Sequence, residues 1–356
     1  MSMKLIYIYP GLSSFVRKDK SFFETQFQVS GLNFQVKKKC HTPWMLMKES
    51  FFLLTAIPSA SIVVIQFGGY HSLIPAFLAR LSHKPSVIVM GGTDCVSFPS
   101  IGYGNLRKPL LRWFTLKSFR LASMLIPASQ SLVEYDYDYC DKDYPKQGYK
   151  YFDPGNKTPY KVIFNGISLN LFRPVEGIIR EKNTFLTVCS NLDRRNYFIK
   201  GIDLFIEAAK RFPGYKFVLV GKTASGFEIE KPENLRHIPF VSHDDLPGLM
   251  SSCSFYCQLS LSEGFGVALT EAMACGCIPV VSKVGILDQI AGDSGFVLEK
   301  YDKDLLVKTI ENAVNSDVVL LSERAGKRAA ALFHDGRRFS ELIKVISDLI
   351  EQNKRL

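Results

Sequence analysis

Short runs of aliphatic and β-branched residues alternate with longer helical patterns along this 356-residue chain, and that alternation restricts its fold more than any other feature. KLIYIY, SIVVIQF, SVIVMGG, MLIPAS and KVIFNG are the strand candidates of the first half. FLTVCS, KFVLVGK, RHIPF, SFYCQLS and IPVVSK are those of the second. A strand that is apolar throughout, not alternately, has both faces buried, which is the condition of a parallel sheet covered by helices. The class is therefore α/β, and the two sets of strands predict two Rossmann-like doubly wound domains facing a cleft. A chain of this length can give each domain its own core. The junction is expected in VIFNGISLNLFRP, where an Asn-Gly turn and an Arg-Pro pair lead into the charged link EGIIREKN. The expected division is 1–165, 166–335 and a terminal helix, 336–356, that packs back on the first domain. The stretch Glu134–Pro159, rich in tyrosine and charge, reads as a loop or a frayed helix end.

Hydrophobic residues make up 47% of the chain and charged residues 22%, values of a globular protein and not of a disordered or fibrous one. The opening apolar run, Leu5–Pro10, is too short for a signal core. In FFLLTAIPSASIVVIQF, Pro58, Ser59 and Ser61 separate a helix end from a buried strand, so no membrane span is expected and the chain reads as cytoplasmic. The eight cysteines lack metal-site spacing and sit mostly in apolar company, as small hydrophobes. The net charge of +10 points to an anionic partner, whether phosphorylated ligand, anionic lipid or nucleic acid.

The chemistry concentrates in LSEGFGVALTEAMACGCIPVVS. A loop with Glu263, Gly264, Phe265 and Gly266 is followed by a helix carrying Glu271 and then by a strand. Glycines let a ligand approach the backbone, and the free amides at a helix start favour an anion. A carboxylate can accept two hydroxyls at once, as a ribose or a hexose offers them. The helix macrodipole would also favour an acid such as Glu271 for purely structural reasons. It is the assembly, more than either acid, that carries the reading.

Glu263, seven intervening residues and Glu271, in the setting EGFG–ALTEAMACG–PVV, resemble the signature of retaining GT-B glycosyltransferases, in particular glycosyltransferase family 4 (glycosyl transferases group 1). KGIDLFIEAAKRFPGYKFVLVGK (Lys200–Lys222) resembles that family's Lys-Gly helix and following strand, and VIFNGISLNLFRP its domain junction. The resemblance implies that Glu271 binds ribose hydroxyls and Glu263 the donor sugar. It implies that Gly264, Phe265 and Gly266 support sugar and phosphate through backbone, and that Lys200 neutralises the departing diphosphate. The family places an arginine shortly before that lysine, and Arg194 and Arg195 both qualify, on what reads as a long loop. Gly11, in the loop after the first strand, matches a phosphate-touching glycine where the family often has a pair. At the end of SVIVMGGTD the family often carries histidine; here Asp94 is the nearest polar residue, either positioning a sugar or capping the next turn. His71 reads as structural.

The resemblance implies a UDP- or GDP-sugar donor, a glycan or lipid-linked acceptor, no cofactor and no metal. A sugar-nucleotide 2-epimerase of the same fold and a non-catalytic nucleotide-sugar or nucleic-acid binding module are the alternatives; nucleic acid is not the expected partner. In NLRKPLLRWFTLKSFRLAS, helical spacing puts Leu110, Leu111, Phe114 and Leu121 on one face and Lys108, Arg112, Lys117 and Arg120 on the other. The basic face reads equally as a contact with an anionic membrane, aided by Lys37, Lys38 and Lys39, and as a solvated helix.

Overall fold

The computed structural model describes residues 3–36 and 38–355. In the first domain β1 (Lys4–Tyr9), α1 (Ser14–Gln26), β2 (Gln28–Asn33), α2 (Thr42–Ala56), β3 (Ile62–Gln66), α3 (Tyr70–Leu81), β4 (Ser86–Met90), α4 (Pro109–Leu121) and β5 (Met124–Pro127) follow one another. The five strands form one parallel sheet in the order β2-β1-β3-β4-β5. Strands β1, β3 and β4 are almost wholly buried, as their unbroken apolar runs require. Strand β2, QVSGLN, lies at the edge with half of its residues exposed, and so lacks the apolar run that marks the others. KVIFNG forms no strand. It runs extended beside β5, with Lys161 N–H on Leu125 O at 3.0 Å and Ile163 N–H on Pro127 O at 3.1 Å.

Residues 134–159 are neither a plain loop nor a helix end. They hold an antiparallel pair, β6 (Tyr135–Asp136) and β7 (Lys146–Gln147), and the short α5 (Tyr149–Phe152). Tyr137 and Tyr139 are buried in a cluster built mostly from the second domain, and the Tyr137 hydroxyl donates to Leu261 O at 3.0 Å. The tyrosines thus tie the two halves together.

The second domain adds β8 (Glu181–Leu192), α6 (Arg194–Ile199), α7 (Ile202–Arg211), β9 (Lys216–Thr223), β10 (Leu235–Ile238), α8 (Leu246–Ser252), β11 (Cys253–Gln258), α9 (Val267–Ala274), β12 (Ile278–Ser282), α10 (Leu287–Ala291), β13 (Phe296–Leu298), α11 (Lys303–Val314) and α12 (Val318–Leu332). Its sheet is parallel, in the order β10-β9-β8-β11-β12-β13. Two parallel-sheet α/β domains of Rossmann-like build thus face each other, as the strand pattern predicts.

The chain crosses between domains twice, and the crossings run side by side. Ile167 N–H donates to Phe333 O at 2.8 Å, and Asp335 N–H donates to Ile167 O at 3.0 Å. Beyond the second crossing, α13 (Asp335–Lys354) returns to the first domain and buries Leu342, Val345, Ile346 and Ile350 against α1 and the sheet. Phe339 stacks on Phe22 at 3.8 Å, and the Arg338 guanidinium meets the Asp19 carboxylate at 2.7 and 3.1 Å, both side chains buried.

Helix α4 corrects one expectation. Its buried residues are Thr115, Ser118 and Phe119, while Leu110 is exposed and Leu111, Phe114 and Leu121 are only half-buried. Small side chains face α3 because the helices pack closely: Ser72 and Ser118 hydroxyls meet at 2.7 Å. Lys37 lies outside the described residues, as does the side chain of Lys39.

Candidate active site

Between the domains lies a cavity of about 740 Å³, lined by Gln66, Gly91, Asp94, Lys200, Glu263, Phe265, Gly266 and the first turn of α9 among others. A second cavity of about 490 Å³ meets it at Val267 and is lined by Arg17, Lys18, His243 and Glu271. Both open at the carboxyl ends of parallel strands, where open α/β sheets bind ligands. Glu263 and Glu271 therefore stand in adjoining lobes and not over one bond.

Lys200 is delivered by a sharp connection. Asp193 caps α6 by accepting from Asn196 N–H at 2.7 Å. Gly201 follows with φ +65°, and a β-carbon there would sit 1.9 Å from Leu259 O. Only glycine fits, which brings Lys200 against the end of β11. The Lys200 Nζ donates to Glu263 Oε2 at 2.8 Å, and Gln258 Nε2 donates to the same oxygen at 3.2 Å. Burial alone would lower the Lys200 pKa; the Glu263 carboxylate outweighs it and holds the ammonium well above its ordinary range, so it stays charged. Its side chain is still 34% exposed, open to the cavity. Gln258 carries no signal in the sequence beyond its place at a strand end.

At the other lobe the Glu271 carboxylate lies 3.6 Å from His243 Nε2. That contact raises the His243 pKa above its ordinary value. Sequence reasoning misses His243, because nothing local ties it to a glutamate 28 positions later.

Gly264 does not line either cavity. Its α-carbon packs on the first domain, where a β-carbon would sit 2.3 Å from Gly91 O and 2.9 Å from Gly92 Cα. Its carbonyl accepts from the Ser129 hydroxyl at 2.7 Å. Gly264, expected to support sugar and phosphate through backbone, stands at the contact between the domains. Phe265 lines the cavity, and its ring meets Phe164 and Phe333 at the double crossing. Gly266 precedes α9, whose Val267 and Ala268 face the cavity with amides that no preceding turn satisfies.

Asp94 holds a turn at the wall of the larger cavity. It is buried, with Oδ2 accepting from Gly68 N–H at 2.9 Å and Oδ1 from Gly91 and Gly92 N–H at 3.2 and 2.9 Å. Burial raises its pKa against the pull of those amides. It shapes the Gly91–Gly92 turn, and its oxygens are already occupied by backbone. Asp94→Asn, which turns an NH₂ toward backbone donors, is expected to lower stability by about 1–3 kcal/mol in chemical denaturation.

Arg194 and Arg195 sit on the exposed first turn of α6 and line neither cavity, and among the described residues their side chains form no ion pair. The stretch LDRRNYFIKG is a capped helix here, not a loop, which turns both outward. Gly11 lies in the β1–α1 connection and lines neither cavity, although Pro10 does. His71 is buried, with Nε2 2.8 Å from Gln66 O, and burial pulls its pKa down to about 4, so it is neutral and structural.

Residues 173–331, most of the second domain, match the family Glycosyl transferases group 1. Similar curated proteins include the phosphatidylinositol N-acetylglucosaminyltransferase gpi3 subunit of Schizosaccharomyces pombe, 26% identical over 45% of this chain and 36% of that protein. O-antigen chain mannosyltransferase B of Escherichia coli is 34% identical over 23% of this chain and 22% of its own length. The matches thus span well under two thirds of these relatives. Among solved structures, sucrose-phosphate synthase from Thermosynechococcus elongatus superposes with a TM-score of 0.71 at 14% identity, covering 98% of this chain and 100% of that one. Anabaena HepE, solved with UDP and glucose, gives 0.69 at 17% identity, over 97% and 100%. These likenesses establish the fold.

Proposed function

We propose that this protein is a glycosyltransferase that moves a hexose, with retention and without a metal, from a UDP- or GDP-sugar to a hydroxyl of a glycan or lipid-linked acceptor. The observation that carries this is the charged Lys200, held on Glu263 and beside the free amides of α9, in a cleft whose second lobe presents Glu271. Similarity of the second domain to glycosyl transferases group 1, and of the fold to a structure holding UDP and glucose, supports it.

In this reading Glu271 accepts the ribose hydroxyls, and the α9 amides and Lys200 face the diphosphate. As the sugar C1–O bond to diphosphate breaks, negative charge grows on the leaving group, and a fixed cation aimed at it lowers the barrier. The acceptor oxygen bonds C1 on the same face and its proton passes to a phosphate oxygen. Glu263 orients Lys200 and meets the sugar.

The test is a thermal-shift screen of UDP, GDP, ADP and their sugars, followed by product analysis with and without acceptor. A bound nucleotide stabilises by mass action. An epimerised sugar formed without acceptor, or no stabilisation by any nucleotide, overturns the reading.

His243 adds a pH dependence. Its pKa is raised by the Glu271 carboxylate, so the pair persists below the ordinary histidine pKa and is lost as pH rises through the raised value. Ribose competes for that carboxylate. Nucleotide affinity is therefore expected to rise about two- to fivefold from mildly acidic to mildly alkaline pH by calorimetry, and to be flat in His243→Ala.

A further inference from the structure

Helices α2, α3 and α4 cover one face of the first sheet. From β2 the chain steps to β3, β4 and β5 in a single direction, and right-handed crossovers place the three helices on the same side. Their outward surface is unusually apolar. On α2, Trp44 (62% exposed), Met47, Phe51 (73%) and Leu54 fall at spacings of three, four and three, one stripe along the helix. Phe77 and Leu81 continue it on α3, and Leu110 and Trp113 on α4, each more than half exposed. Both tryptophans of the chain lie here.

The segment that carries this surface is strongly basic. Between Glu24 and Glu134 the sequence has eleven lysines and arginines and two acids, Glu49 and Asp94. Both acids are buried. Glu49 points inward from α2, and burial pushes its carboxyl up to about 9, so it is neutral at neutral pH. Lys48 stands one turn from Trp44, Arg80 from Phe77 and Lys117 from Trp113, and none of the three forms an ion pair among the described residues. Arg120, by contrast, pairs with Asp153, and Arg112 lies over the Phe152 ring.

The same helices begin at the cleft. Thr42 of α2, Tyr70 of α3 and Leu111 of α4 line the larger cavity, together with Phe34 and Val36. The apolar surface starts two residues beyond Thr42 and next to Leu111.

We propose that this face docks on an anionic lipid bilayer, with α2 lying in the interface plane, so that the first-domain side of the cleft opens onto lipid-borne substrates. Aromatic and aliphatic side chains ringed by uncompensated lysine and arginine suit the boundary between headgroups and acyl chains. A second copy docking on the same face would oppose positive charge to itself. The membrane contact thus moves from the basic face of α4 to the stripe of α2. The acceptor side of this inference rests on the glycosyltransferase reading.

Trp113→Phe leaves Trp44 as the single reporter. With vesicles of phosphatidylglycerol and phosphatidylcholine its emission is expected to shift to the blue and to be quenched by brominated lipid, with binding weakened by salt and by phosphatidylcholine alone. Phe51→Ser with Leu54→Ser is expected to weaken vesicle partitioning by about tenfold or more while nucleotide-induced stabilisation is unchanged. Several results would overturn the docking: no sedimentation with anionic vesicles, unchanged Trp44 emission, unaltered partitioning of the double variant, or light scattering showing that the stripe holds a dimer or a protein partner. Vesicle binding without nucleotide stabilisation would sink the glycosyltransferase reading alone, and the reverse would sink the docking alone.

Discussion

Lys200→Ala is expected to lower kcat for glycosyl transfer by about 10²–10³-fold, the loss typical of one preorganised group facing developing negative charge. The cation is held in place before reaction by Gly201, which only glycine can occupy, and by the 2.8 Å contact with Glu263. Because the ammonium faces the cavity and not the core, the melting temperature should change little. On the proposed reading, KM for the donor should move less than kcat, because the charge Lys200 would meet is greatest as a diphosphate departs. Lys200→Arg should recover part of the rate: it keeps the charge, but as a planar fork in place of a point. A Lys200→Ala enzyme that keeps wild-type kcat would exclude leaving-group stabilisation at this position.

Arg338→Ala is expected to cost about 3–5 kcal/mol, the penalty for leaving one member of a buried ion pair unpaired. Asp19 would be left without its partner inside the contact between α1 and α13, where both side chains are now only 2–4% exposed. The Arg338 Nη1 also donates to Phe164 O at 3.3 Å, so the loss loosens the double crossing as well. The melting temperature should fall on the order of 10 °C. Asp19→Leu combined with Arg338→Met should restore most of it, because an apolar pair of similar volume removes the uncompensated charge. If Arg338→Ala melts with the wild type, α13 does not hold the first domain as described.

Much of this architecture could be read from the chain alone. The buried strands are unbroken apolar runs, so β1, β3, β4 and β11 stand out, whereas edge strand β2, half in solvent, has no such run. The Lys200–Gly201 step and the Glu263–Glu271 segment were likewise visible, because a positive-φ glycine, a helix start and a strand are demands met within a few residues. Those signals are local. They could not show that Asp94 is occupied by three backbone amides, that Gly264 touches Gly91, or that Arg194 and Arg195 turn outward on a capped helix.

Composition and periodicity thus determined the class, the two domains and the stretch that bears the chemistry, since each follows from what a segment must bury. Tertiary structure alone decided the pairings: His243 with Glu271, Tyr137 with Leu261, Arg338 with Asp19 across 319 positions, and Trp44 with solvent. Side-chain partners so far apart in the chain leave no period or spacing behind, because packing brings them together only after every element has formed.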